Sequence, residues 1–267
     1  MPVFTEPSVR VRAAAQRLAE AEINRAPCAP IRDLIDTADI DSAYAVQQHN
    51  VAAARASGRY VVGRKIGLTS PAVQRQLGVD QPDFGVLYDD MDVSNSVQIP
   101  INRLLQPKIE AEVAFVLGRS ITDPVEADAA RDHVAEVIAA FEIVDSRVAD
   151  WDISLADTIA DNASSGLYVL GDRLNVNSAP DLAAVTMTVT DEQGTTLSAG
   201  TGADCLGSPY KALAWLANTA LRFGNPLQEG DVILSGALGP MVPVTAGATY
   251  TATISDIGTV TAAFSAN

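Results

Sequence analysis

The segment 106–118, Q-P-K-I-E-A-E-V-A-F-V-L-G, constrains this chain more than any other. Strand side chains alternate between faces, so Glu110 and Glu112 would share one face while Ile109, Ala111, Val113, Phe115 and Leu117 share the other. Two like charges side by side on a partly buried face are unfavourable unless a cation or a shared proton compensates them. Carboxylate oxygens suit a hard divalent cation such as magnesium, manganese or calcium. Taken alone, the pair is explained equally well by a solvated sheet edge, or by pairing with Lys108 and Arg119.

The rest of the chain narrows the chemistry. Its 267 residues suffice for one large domain, or a domain with a smaller appendage, around a substantial core. A net charge of -15 disfavours nucleic acid and anionic membranes as partners. Met1–Arg12 has no basic flank followed by an apolar core, and no apolar run approaches bilayer-spanning length. The expectation is a soluble, cytoplasmic protein. Cys28 and Cys205 make neither a disulfide framework nor a C-x-x-C site and are expected to be buried small hydrophobes. The only histidines, His49 and His133, fall in stretches that read as helix, so a zinc triad is not expected. Metal binding then falls to carboxylates, and proton transfer to Asp, Glu, Lys or Tyr.

Apolar spacing predicts helices over Val9–Asn24 and from near Asp41 to Ser57, closed by Gly58; together they form an N-terminal helical region over residues 1–60. From Tyr60 the pattern turns to β. Lys65 lies in a strand between Gly63 and Gly67, where glycine marks close approach by a backbone or ligand, although a solvent-facing lysine fits too. Ser70-Pro71 would cap a short helical turn, Ala72–Leu77. Asp83, in a loop between Pro82 and Phe84, is either a desolvated acid–base group or an ordinary turn residue. Asp123-Pro124 is expected to start a helix running through Val134, Val137 and Ile138 into a strand F-E-I-V-D-S-R. There Glu142 is costly unless paired or metal-bound, which makes it the natural third ligand beside Glu110 and Glu112.

A short helix at Leu155–Ala160 precedes a loop with Asn162, Ser164 and Ser165, which suits either a small anionic ligand or a plain turn, and a strand Gly166–Leu170. A hairpin at D-E-Q-G-T-T, a helix from Ser208-Pro209 with Trp215 in the core, and short terminal strands complete an α+β pattern.

In order, G-R-K-I-G-L-T-S, Q-P-D-F-G, Q-P-K-I-E-A-E-V-A-F-V-L, A-F-E-I-V-D-S-R, A-D-N-A-S-S-G-L-Y-V-L-G and G-A-L-G-P-M-V-P-V resemble the 2-hydroxypenta-2,4-dienoate (2-keto-4-pentenoate) hydratases of the fumarylacetoacetate hydrolase superfamily. The resemblance runs from about residue 60 to the C-terminus and implies a catalytic domain over 61–267, with a mixed β-roll, outer helices and a homo-oligomeric state. It places Mg2+ or Mn2+ on Glu110, Glu112 and Glu142, favours Lys65 and Asp83 for proton transfer, and offers Ser164 for the substrate carboxylate. The implied reaction is hydration of a 2-hydroxy-2,4-dienoate to a 4-hydroxy-2-oxo acid in meta-cleavage catabolism of aromatic or steroid-derived compounds, with a downstream aldolase as a partner. The rival readings are a 2-oxo-3-hexenedioate (4-oxalocrotonate) decarboxylase, a C–C bond hydrolase, and a non-catalytic partner of a pathway enzyme.

Overall fold

The computed structural model describes residues 7–70, 74 and 81–267. Helix α1 (Val9–Asn24) starts at Ser8, whose hydroxyl accepts the Val11 N–H. Helix α2 (Ile40–Ala56) starts at Asp39, which accepts the Ser42 N–H. Each cap satisfies an amide that has no partner inside its helix. Among the described residues, three further helices are α3 (Ala127–Ala130), α4 (Leu155–Ala160) and α5 (Pro209–Arg222). The last follows Ser208 as cap, with proline at its first position as its sequence predicts.

The strands are β1 (Val61–Gly67), β2 (Asp83–Tyr88), β3 (Lys108–Leu117), β4 (Val134–Val144), β5 (Ser165–Asn175), β6 (Thr186–Thr190), β7 (Thr196–Thr201), β8 (Val232–Ala237), β9 (Val242–Pro243), β10 (Thr249–Ile254) and β11 (Gly258–Ala263). They form a seven-stranded sheet in the order β2-β1-β8-β3-β4-β5, with β9 paired to β3, and a four-stranded sheet in the order β11-β10-β6-β7. The pair β1–β8 is parallel, whereas β1–β2, β3–β8, β3–β4 and β4–β5 are antiparallel. The smaller sheet packs on the larger one through β10 and β11. The result is the expected α+β arrangement, with sheets flanked by helices.

One continuous apolar core joins both sheets and the N-terminal helices, from Val11, Leu18 and Tyr44 through Phe115 and Phe141 to Ile254 and Phe264. A smaller cluster, with Ala114, Ile138, Ala140, Tyr168 and Leu234, lies on the other face of the large sheet. Strand alternation puts Glu110 and Glu112 on the face of Ala114, and Glu142 on that of Ile138 and Ala140. The three carboxylates therefore project from the smaller cluster's side.

The structure corrects several sequence expectations. The helix expected from Asp123 through Ile138 is a single turn, α3, after which residues 134–144 form one unbroken strand. Because β4 is flanked by β3 and β5 and buried on both faces, its apolar residues run almost continuously, and Val134, Val137 and Ile138 match helical spacing by coincidence. His133 accordingly lies in a 3-10 turn, Arg131–His133, with Nδ1 3.1 Å from the Ser120 carbonyl, while His49 is in α2. Asp83 opens a strand instead of occupying a loop. Strand β5 runs from Ser165 to Asn175, longer than Gly166–Leu170. Cys205 is buried but Cys28 only half-buried, and Trp215 is half-buried against the core. Of the turn expected at Ala72–Leu77 only Gln74 is described, its N–H donating to the Ser70 carbonyl at 3.0 Å; Pro71 and the other residues of the turn lie outside the described residues.

Candidate metal centre and active site

Antiparallel pairing of β3 and β4 sets Glu110 directly opposite Glu142, with Glu112 two residues along on the same face. One oxygen from each of the three lies within 4.8 Å of the others. Glu112 and Glu142 are buried, Glu110 half-buried. Glu112 Oε2 accepts the Gly236 N–H from β8 at 2.7 Å. Its Oε1 and both Glu142 oxygens have no hydrogen-bond partner among the described residues. A buried carboxylate oxygen without a partner is costly, and three clustered ones are accounted for by a cation. The donor set, all carboxylate and no sulfur or imidazole, fits a hard divalent ion such as Mg2+ or Mn2+.

Lys65 does not reach solvent. At 3% exposure its Nζ stands 3.1 Å from Glu142 Oε1, off the direction of a good hydrogen bond. Asp83, 1% exposed, is held near it because β1 and β2 pair Gly67 with Asp83 and Lys65 with Gly85. A Cβ at Gly67 would sit 2.1 Å from Asp83 Oδ1 and 3.4 Å from Lys65 Nζ, so the bare Cα leaves the space that both groups share. This is the close approach that glycine beside Lys65 signals in the sequence.

Burial dominates the electrostatics. It raises Glu110, and raises Glu112 well above the carboxylate range with the help of its neighbours Glu142 and Glu110. Glu142 is pushed up to about 7 by burial, which the Lys65 ammonium opposes. Asp83 is likewise raised by burial, against the pull of Lys65. Burial alone would lower Lys65; Glu142, Asp83, Glu110 and Glu112 outweigh it and hold the ammonium above its ordinary value. The lowered value that a lysine base requires is therefore absent from the metal-free chain. One buried ammonium faces four carboxylates, and a divalent cation would offset most of the excess.

One wall of the site is the turn between α4 and β5. Asn162, Ala163 and Ser164 are all left-handed, with φ of 54°, 53° and 54°. Three such residues in succession, none of them glycine, are held against a cost of roughly 1–2 kcal/mol each. Asn162 supplies much of the hold: its side chain accepts the Val86 N–H at 2.8 Å and donates to the Val86 carbonyl at 2.9 Å, extending β2 like a strand partner. Gly85 permits the contact, since a Cβ there would lie 2.3 Å from the Asn162 carbonyl oxygen. Ser164 is thereby buried, its Oγ 3.4 Å from Thr158 Oγ1, which donates to Asp83 Oδ2 at 3.3 Å. The structure thus brings Lys65, Asp83 and Ser164 together beside Glu110, Glu112 and Glu142.

Sequence reasoning missed three parts of this site. Thr158 was hidden in a short helix whose six residues are all buried. Arg147 and Asp161 form a buried ion pair beneath the turn: Arg147 Nε donates to Asp161 Oδ1, Nη2 to the Asp161 carbonyl, and Nη1 to the carbonyls of Asp145 and Ser165. Their signal was present in D-S-R and A-D-N, charged residues inside otherwise buried blocks, but nothing in the spacing pairs them.

The profile of the fumarylacetoacetate (FAA) hydrolase C-terminal family matches residues 66–265. The chain is 50% identical over 259 residues to a 2-keto-4-pentenoate hydratase of Paraburkholderia phymatum, covering 96% of this chain and 98% of that protein. It is 51% identical to a protein of the same description from Burkholderia vietnamiensis, over 94% of this chain and 95% of the other. Among solved structures, 4-oxalocrotonate decarboxylase from Pseudomonas putida G7, complexed with magnesium and adipate, superposes with a TM-score of 0.89 at 30% identity, over 96% of this chain and 97% of that one. The shared fold, the ordered blocks and half-identity along nearly the full length lead to one conclusion: this chain belongs to the fumarylacetoacetate hydrolase family, and within it to the 2-keto-4-pentenoate hydratases.

Proposed function

We propose that the protein hydrates a 2-hydroxy-2,4-dienoate, the enol of a 2-oxo-4-enoate, to a 4-hydroxy-2-oxo acid. Glu110, Glu112 and Glu142 hold a divalent cation in this reading, Mg2+ or Mn2+. When bound, the ion supplies Lewis-acid stabilisation for the negative charge that develops on the substrate's C2 oxygen. The chain's own groups do the rest. Protonation at C5, with loss of the enol proton, gives a conjugated 2-oxo-3-enoate; water then adds its hydroxyl at C4 and a proton arrives at C3. Lys65 and Asp83, sharing the space over Gly67, exchange these protons, and the buried Ser164 hydroxyl binds the substrate carboxylate. The observation that carries the reading is the buried pair Lys65 and Asp83 beside a cluster of three glutamates, two of which, Glu112 and Glu142, keep oxygens without a hydrogen-bond partner among the described residues, in a chain half-identical to hydratases. A homo-oligomer, and a downstream aldolase that cleaves the 4-hydroxy-2-oxo product, belong to the same proposal.

The test is turnover of 2-hydroxypenta-2,4-dienoate with magnesium present, run beside 2-oxo-3-hexenedioate. Hydration of the former, lost in Glu110→Gln/Glu112→Gln, is expected. Carbon dioxide released from the latter without hydration of the former would select the decarboxylase reading, which the similarity to 4-oxalocrotonate decarboxylase keeps as the second choice.

A further inference from the structure

Asp83 is almost entirely buried, yet among the described residues only one side chain donates to its carboxylate: Thr158, from Oγ1 to Oδ2 at 3.3 Å. The other oxygen, Oδ1, has no hydrogen-bond partner among the described residues and faces the bare Cα of Gly67. A hydroxyl offers one proton and two lone pairs. With its proton committed to Asp83, Thr158 Oγ1 is left to accept from Ser164 Oγ, 3.4 Å away, until a bound substrate carboxylate takes the Ser164 proton instead. Before substrate binds, the order of donation is then Ser164 to Thr158 to Asp83.

The helix that carries Thr158 is built to hold this hydroxyl still. Ser154 caps α4 reciprocally with Asp157. Asp157, completely buried, also takes the Ile31 N–H and the Arg32 Nε–H, each at 2.9 Å. On the other side of Thr158, the carbonyl of Ile159 accepts from the buried Gln47 side chain at 3.0 Å. Both sequence neighbours of Thr158 are thus tied to the N-terminal segment, while Thr158 itself turns into the site.

We infer that Thr158 is a positioning residue: in line with Ser164, its hydroxyl fixes one oxygen of Asp83 so that the other alone is presented for proton exchange. This rests on the reading of Asp83 as a proton-transfer group. Such a residue acts on the reaction rather than on binding, because it orients a group whose contact with substrate changes in the transition state.

Four proteins separate the possibilities: wild type, Thr158→Val, which keeps the shape and removes the hydroxyl, Thr158→Ser, which keeps the hydroxyl, and Asp83→Asn. Steady-state hydration of the dienoate is measured with magnesium saturating, and magnesium binding by calorimetry. Thr158→Val is expected to lower kcat by about 10- to 100-fold, the factor for one hydrogen bond to a charged group, with KM within about two-fold of wild type and magnesium affinity unchanged. Thr158→Ser should recover most of kcat. Wild-type kcat in Thr158→Val, with Asp83→Asn inactive, overturns the positioning role and leaves Asp83 standing. Equal loss in the Val and Ser variants overturns it as well, by showing that the methyl group and packing matter instead. Full turnover in Asp83→Asn removes the reading of Asp83, and the inference with it.

Discussion

Lys65 and Glu142 meet over the large sheet, Nζ to Oε1 at 3.1 Å, although strands β8 and β3 lie between the strands that carry them. Two long side chains close that gap above Glu110 and Glu112. The ammonium is the buried counter-charge of the carboxylate cluster.

Replacing Lys65 with Met should therefore destabilise the metal-free protein. Removing one partner of a buried pair costs on the order of 3–5 kcal/mol. Urea unfolding in the presence of a chelator should show the loss, and magnesium should restore more stability to the variant than to wild type. Equal urea midpoints for the two proteins in chelator would contradict the counter-charge role.

Magnesium affinity should rise with pH through neutrality. Glu142 is raised from its ordinary 4.5 to about 7 by burial, so between these values the folded metal-free chain binds more protons than the unfolded one. Stability of the metal-free protein then falls as pH rises through that window, while the ion competes with fewer protons. Calorimetry in buffers of different ionisation enthalpy at pH 6 to 8, roughly spanning that pKa, should detect proton release on binding that shrinks towards the alkaline end. A constant affinity with no proton release would refute it.

Gly67→Ala should damage the reaction far more than the fold. The new methyl would meet Asp83 Oδ1 at 2.1 Å, a side-chain tip that can swing away and thereby lose its position. Displacement of a reacting group by about 1 Å is worth on the order of 100-fold in rate. Thermal unfolding with magnesium should stay close to wild type while kcat collapses; an active variant would show that the space over Gly67 is not where protons are exchanged.

Arg147→Lys should behave almost like Arg147→Met. The guanidinium uses all three nitrogens on Asp161, Asp145 and Ser165, a fork that an ammonium cannot reproduce. Burial has already pushed Asp161 up to about 6 despite the arginine. Both variants should lose roughly 3–5 kcal/mol in urea unfolding, and retention of wild-type stability by the lysine variant would show that charge alone suffices.

What could be read beforehand was local. Glu110 and Glu112 declare a shared face because strand periodicity is two, and Glu142 stands out as a carboxylate among Phe141, Ile143 and Val144. Lys65 is marked by its flanking glycines. The strand at residues 134–144 was obscured because a strand buried on both faces loses its alternation. Thr158 and Asp83 are 75 residues apart, and Ile31 and Asp157 are 126 apart. Such pairs exist only once the sheets and helices have packed, so no spacing in the sequence announces them.

The grip of Ile31 and Arg32 on Asp157 gives the segment between α1 and α2 an unexpected reach. Arg32 is 36% exposed and touches no group assigned to chemistry, yet it pairs with Asp157, the residue next to Thr158. It is the outer end of a line of contacts that runs through Asp157 and its neighbour Thr158 to the carboxylate of Asp83. If Thr158 positions Asp83 as inferred, loss of the Arg32 side chain should slow the reaction while every residue proposed to handle substrate stays intact.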